Sequence, residues 1–153
     1  MLYTPHAVTG ATIAYMFPNP LIAIPLSIVS HLFFDVTPHA NPNPHKVKGT
    51  VKLIMFLEII IGNIILFLFS KYISGGNIPL MTLMILSGVA ANLPDILTGP
   101  YAILKKDILF SKKIAEFQHL IQNHVSAFFG YSLQLVFLGI IIFVFLNKAQ
   151  PTF

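Results

Sequence analysis

From residue 125 to residue 146 the chain reads VSAFFGYSLQLVFLGIIIFVFL, with no charged side chain. A bilayer-crossing helix needs roughly 20 consecutive apolar residues. In lipid there is no water to bond the backbone, so the peptide groups must be satisfied within a helix or a closed barrel. The rest of the chain repeats the pattern. Only 9% of the residues are charged and 56% are hydrophobic, against roughly 25% charged in a soluble domain. The sequence therefore predicts an all-α integral membrane protein, a single membrane domain over residues 1–153.

Residues 6–17 form an apolar segment too short to span, rich in small residues (Thr9, Gly10, Ala11, Thr12, Ala14) that let helices approach closely. Pro18-Asn19-Pro20 marks a turn, and residues 19–36 run back from it, so the two segments predict an N-terminal helical hairpin. The stretch TPHANPNPHKVKG that follows reads as a loop. Residues 50–70 and 79–97 are transmembrane helices joined by the turn Ser74-Gly75-Gly76-Asn77, with Pro94 breaking the last turn of the second. Residues 103–123 mix lysines with apolar positions at helical spacing and predict an amphipathic interfacial helix. Residues 125–146 are the third transmembrane helix. The N-terminus has no basic stretch before its apolar segment, so no cleavable signal is expected.

With the hairpin returning to its starting face, Lys46, Lys48, Lys52, Lys105, Lys106, Lys112 and Lys113 share one face, and Lys71 and Lys148 the other. The positive-inside rule makes the lysine-rich face cytoplasmic and leaves the C-terminus outside. The net charge of +4 thus reads as orientation and contact with membrane lipids rather than nucleic-acid binding.

The same topology carries all six histidines to the lysine-rich face. His31, Asp35 and His39 recur every fourth residue at the end of the second segment, the spacing that stacks side chains on one helix face. Pro38 interrupts that helix, so His39 comes from the first loop residues. His6 arrives from the first segment, Asp95 from the end of the fourth, and His119 and His124 from the amphipathic stretch. The chain has no cysteine, so a zinc-type site must use imidazole and carboxylate. The candidate metal ligands are His6, His31, Asp35, His39 and Asp95, with Asp95 and His119 as candidate catalytic groups. His119 and His124 differ by about 140° on a helix and do not both face one ion, so His124 ranks lower. Glu58, an acid inside a span, is costly there and is also a secondary candidate, for a hydrogen bond to Asn63 or Thr82 or for a proton path. His45 reads as a surface residue.

Pro5-His6, the run Ser30-His31-Leu-Phe-Phe-Asp35-Val-Thr-Pro38-His39, and Asn92-Leu-Pro94-Asp95 resemble the corresponding motifs of small bacterial and archaeal integral membrane proteins described as membrane-bound metal-dependent hydrolases. The resemblance covers residues 1–100 and reaches the last third only through the histidine-bearing amphipathic stretch. It implies a prokaryotic cytoplasmic-membrane protein with a divalent metal at His6, His31, Asp35, His39 and Asp95, with His119 as a further candidate. The chain has no arginine, so no guanidinium clamp for phosphate carries over. The functional expectation is a metal-dependent hydrolase acting on a lipid or lipid-linked substrate, with zinc first and manganese or magnesium as alternatives. The competing expectations are a metal-ion or proton transporter using the same cluster, and a non-catalytic scaffold with a structural metal.

Overall fold

A computed structural model describes residues 2–38, 49–104, 106–122 and 125–148, and among them every regular element is helical. The helices are α1 (Tyr3–Met16), α2 (Pro20–Val36), α3 (Gly49–Ile73), α4 (Ile78–Ala90), α5 (Leu93–Leu104), α6 (Ser111–Ile121) and α7 (Ala127–Lys148). Two of them, α3 and α7, are long and apolar enough to cross a membrane, and α4 with the start of α5 makes a third candidate if the bent pair is one span. The apolar window of α7 is only 11% buried within the protein. Phe128, Phe129, Ile140 and Phe143 are exposed on it, an arrangement that suits lipid as solvent and not water.

The shortest apolar segment lies at the centre. Helix α1 packs on α2, α3, α4 and α7, and Ala7, Val8, Ala11 and Ala14 are wholly buried. A helix apolar all round has no outward face to offer and is stable only when surrounded. Its small side chains permit the close approach. A Cβ added to Gly10 would come within 2.9 Å of the Ala91 Cβ and press on the Ser87 carbonyl, and one added to Gly88 would sit 2.7 Å from the Ala7 carbonyl oxygen. Both glycines are therefore needed where α1 and α4 cross. Gly10→Ala is expected to destabilise the protein by about 1–3 kcal/mol through overpacking. Unfolding midpoints in detergent check this, and an unchanged midpoint would mean that the crossing yields without loss.

The hairpin is present, with its turn at the far end of the bundle from the polar cluster. Pro18 and Pro20 line one cavity with Asn77 of the α3–α4 connection and with Pro79, Leu80 and Leu83 of α4. That connection turns through Gly75 and Gly76 at φ +57° and +85°, backbone values that glycine adopts without a Cβ penalty. Asn19 and Asn77 cap the helices that start there, accepting from the Leu21 and Leu80 amides.

Three boundaries differ from expectation. Helix α1 begins at Tyr3, ahead of residue 6, because Glu58 of α3 caps its start. The expected span over 79–97 is two helices, α4 and α5, bent by 47°. Pro94 causes the bend: it has no N–H for the Ala90 carbonyl and its ring crowds that turn. The expected interfacial helix over 103–123 is likewise divided. Helix α5 runs to Leu104, and a turn tied by Ser111 Oγ and Asp107 Oδ1 then starts α6 at Ser111. A helical pattern that continues through a turn of apolar residues hides such a break.

Candidate functional site

The break between α4 and α5 builds the floor of the site. Asn92 closes the end of α4 by donating from Nδ2 to the Gly88 carbonyl at 3.1 Å. Leu93 and Pro94 open α5, a position that suits proline because the first amides of a helix have no partner to lose. Asp95 therefore lies in the first turn of a new helix, not at the end of an old one as the sequence suggested. There its charge is favoured by the helix dipole. The break also leaves the Ala91 carbonyl facing α2, where it lies 2.7 Å from His31 Nδ1.

That hydrogen bond orients the whole site. A carbonyl only accepts, so Nδ1 of His31 carries the proton and Nε2 points the other way. Nε2 lies 3.3 Å from Asp35 Oδ2 and 3.4 Å from Asp95 Oδ1. The His6 ring stacks on the His31 ring with centroids 4.0 Å apart and planes 19° from parallel. His6 Nε2 is 3.8 Å from Asp35 Oδ1. Helices α1, α2 and α5 thus bring His6, His31, Asp35 and Asp95 together, and both imidazoles and Asp35 are fully buried.

Among the described residues His6 has no hydrogen-bond partner on either ring nitrogen. A buried polar group without a partner costs about 1–3 kcal/mol, so the position calls for something the protein itself does not provide. One ligand atom from each of His6, His31 and Asp95 lies within 4.8 Å of the others, and Asp35 adds the two short distances above. Bonds of about 2.0–2.1 Å in tetrahedral geometry place ligand atoms roughly 3.3 Å apart, so His31 with either carboxylate already has the spacing, whereas the His6 ring, stacked nearly parallel on His31, must turn to aim a nitrogen at the same ion. The Nδ1–carbonyl bond of His31 is the kind of outer contact that fixes a ligating histidine. The donor set suits a divalent ion of the zinc type.

His39 and His124 lie outside the described residues, as does His45. His119 is exposed on α6, whereas its neighbour Gln118 is buried in the site: Gln118 Nε2 donates to Asp95 Oδ1 at 2.9 Å and lies 3.2 Å from His31 Nε2. Gln122, one turn on, reaches Asp35 Oδ2 from Nε2 at 3.4 Å. Neither glutamine was expected at the site. The signal was the face Ser111, Ala115, Gln118, Gln122, at spacings of four, three and four, small and polar where a soluble helix would turn leucines inward.

Glu58 belongs to a different structure. Its carboxylate accepts from the Tyr3 and Thr4 amides at 3.1 and 3.0 Å and from the Thr4 hydroxyl at 2.8 Å. Asn63 accepts from the Tyr3 hydroxyl at 2.9 Å, and Gln134 Oε1 of α7 accepts from the Leu2 amide at 2.7 Å. Comparison with protein-family models, with curated proteins and with solved structures finds no match for the chain. The resemblance to membrane-bound hydrolases stands on its motifs alone.

Proposed function

We propose that the protein is a metal-dependent hydrolase acting on a lipid or lipid-linked substrate at a membrane surface. The observation that carries the reading is the His6 imidazole, fully buried, unpartnered at both nitrogens among the described residues and stacked on an oriented His31 beside two carboxylates. His6, His31 and Asp35 would hold a divalent ion, zinc in preference to manganese or magnesium, with Asp95 as a further ligand or the general base. An ion so held supplies an activated water near neutral pH.

The accessible member of the set is Asp95, whose side chain is 43% exposed, while those of His6, His31 and Asp35 are closed off. A structural metal staple needs no such opening, and its presence favours an enzyme. Leu93 and Ile96 flank Asp95 in sequence and are exposed, apolar surface that suits the tail of a lipid. Lys106, Lys112 and Lys113 are exposed on the α5–α6 arm and would hold an anionic headgroup. By the lysine excess the site lies on the cytoplasmic side of a prokaryotic membrane, with the C-terminus outside. The transporter reading needs a deep polar path, and its best candidates, Glu58 and Asn63, are engaged with Tyr3 and Thr4.

Metal analysis of purified protein followed by hydrolysis assays on lipid phosphate and carboxylic esters tests the proposal. The wild-type chain should carry stoichiometric divalent metal, and Asp95→Asn should lower the hydrolytic rate roughly 100- to 10,000-fold. Absence of metal from the wild type would sink the reading. Metal-loaded protein inactive on every ester class would return it to a structural staple.

A further inference from the structure

Helix α6 covers the site with its polar side. Ser111 and Gln118 are buried on it, while Phe117 and Leu120 are 50% and 83% exposed. The helix packs mainly on α5, with a smaller contact on α2. Its two site-facing side chains are amides, Gln118 over His31 and Asp95, and Gln122 over Asp35.

The position of Gln118 is chemically specific. His31 Nδ1 faces the Ala91 carbonyl and carries a proton, so in its neutral form, the form that ligates a metal, the ring presents a lone pair at Nε2. That lone pair stands 3.4 Å from a carboxylate oxygen of Asp95. Two acceptors at this distance repel unless an electropositive group lies between them. The glutamine amide has two N–H bonds to give. With Nε2 at 3.2 Å from one acceptor and 2.9 Å from the other, it can supply one to each. The same two acceptor atoms are the ones a divalent ion would take from this side. They cannot serve the amide and the ion together.

We propose that α6 is a lid over the metal site, and that Gln118 is a placeholder whose amide occupies the cation's position and withdraws with α6 when the cation binds. This rests on the metal reading of the same site and adds to it the means by which the site stays intact without an ion. A neutral amide satisfies both acceptors well enough to keep them buried. A divalent ion satisfies them better, because it meets the carboxylate with charge, so the exchange runs toward the ion. Gln122 donates to Asp35 Oδ2 at 3.4 Å from one turn further along, so the lid lifts both amides in a single movement.

The test is a Zn²⁺ titration of the purified full-length protein in detergent, against a competing chelator. Gln118→Ala removes the competitor and leaves room for water, and it should bind Zn²⁺ roughly tenfold more tightly than the wild type, the scale of one hydrogen bond to a charged group. Equal or weaker binding by Gln118→Ala, with the wild type binding, would overturn the placeholder and leave the metal site standing. No Zn²⁺ bound by either chain would overturn the metal reading and this proposal with it. A second measurement does not depend on the folding of that variant. The chain has no cysteine, so spin labels at Glu116→Cys on α6 and Ile64→Cys on α3, both exposed positions, report one distance without background. Zn²⁺ should shift that distance, and a distance unmoved by saturating Zn²⁺ would refute the lid.

Discussion

His6→Leu is expected to make the metal-free protein more stable and to remove its stabilisation by metal. The His6 ring is wholly buried, with neither nitrogen hydrogen-bonded among the described residues, and Asp35 Oδ1 is 3.8 Å away. An unmet polar group of this kind costs about 1–3 kcal/mol, and leucine fills a similar volume without it. The loss of ring stacking on His31 offsets a part. The metal-free variant should therefore gain about 1 kcal/mol or more. Ligand linkage has the opposite sign. An ion at about 100 times its dissociation constant stabilises the native state by about 2.7 kcal/mol. The wild type should show that increment on adding Zn²⁺, and His6→Leu should not. Unfolding midpoints of both proteins with Zn²⁺ and with chelator give the four values needed. A metal-free variant less stable than the wild type would mean that His6 is a core residue with a hidden partner and not a ligand kept at a cost to stability.

This opposition also explains which parts of the site were legible in the sequence. His31 and Asp35 could be paired from spacing alone, because both lie on one helix and one face. His6 could be joined to them only through topology, and that inference needed the hairpin to return to its starting end. Asp95 was expected at the end of a helix, and it lies in the first turn of the next one. Pro94 ends one helix and also begins the next, and a single sequence read from the N-terminal side sees only the first role. Gln118 is not legible as a site residue because an amide is not a metal-binding type, whereas His119 beside it is. The face Ser111, Ala115, Gln118, Gln122 states which side of α6 turns inward, but only if the interior is known to be polar, which follows from the assembled site and not from α6 itself. The fold shows the same division. Apolar length marked α3 and α7, whereas the central place of α1 depended on contacts from four other helices.

Glu58→Val is expected to be among the most destabilising single substitutions in the chain. The first amides of any helix lack partners within it, and at α1 they open beside α3 inside its apolar window, Phe56–Ile73. One carboxylate there accepts from the Tyr3 amide, the Thr4 amide and the Thr4 hydroxyl, and its charge lies where the helix dipole favours it. Valine would leave two amides and a hydroxyl without an acceptor in a setting that offers little water, at about 1–3 kcal/mol for each buried group, so a loss of roughly 3 kcal/mol or more is expected. Glu58→Gln keeps one acceptor oxygen and removes the charge, and should fall between the variant and the wild type. The effect should extend to the site. His6 follows the capped residues within the first turns of α1, so fraying of α1 moves a proposed ligand while His31, Asp35 and Asp95 stay on other helices. Glu58→Gln should therefore weaken Zn²⁺ binding although Glu58 touches no ligand. Unfolding midpoints with Zn²⁺ affinity for wild type, Glu58→Gln and Glu58→Val decide the matter: a graded loss in both supports a capping role, whereas full stability with lost activity in Glu58→Gln would move Glu58 from the frame of the protein into its proton chemistry.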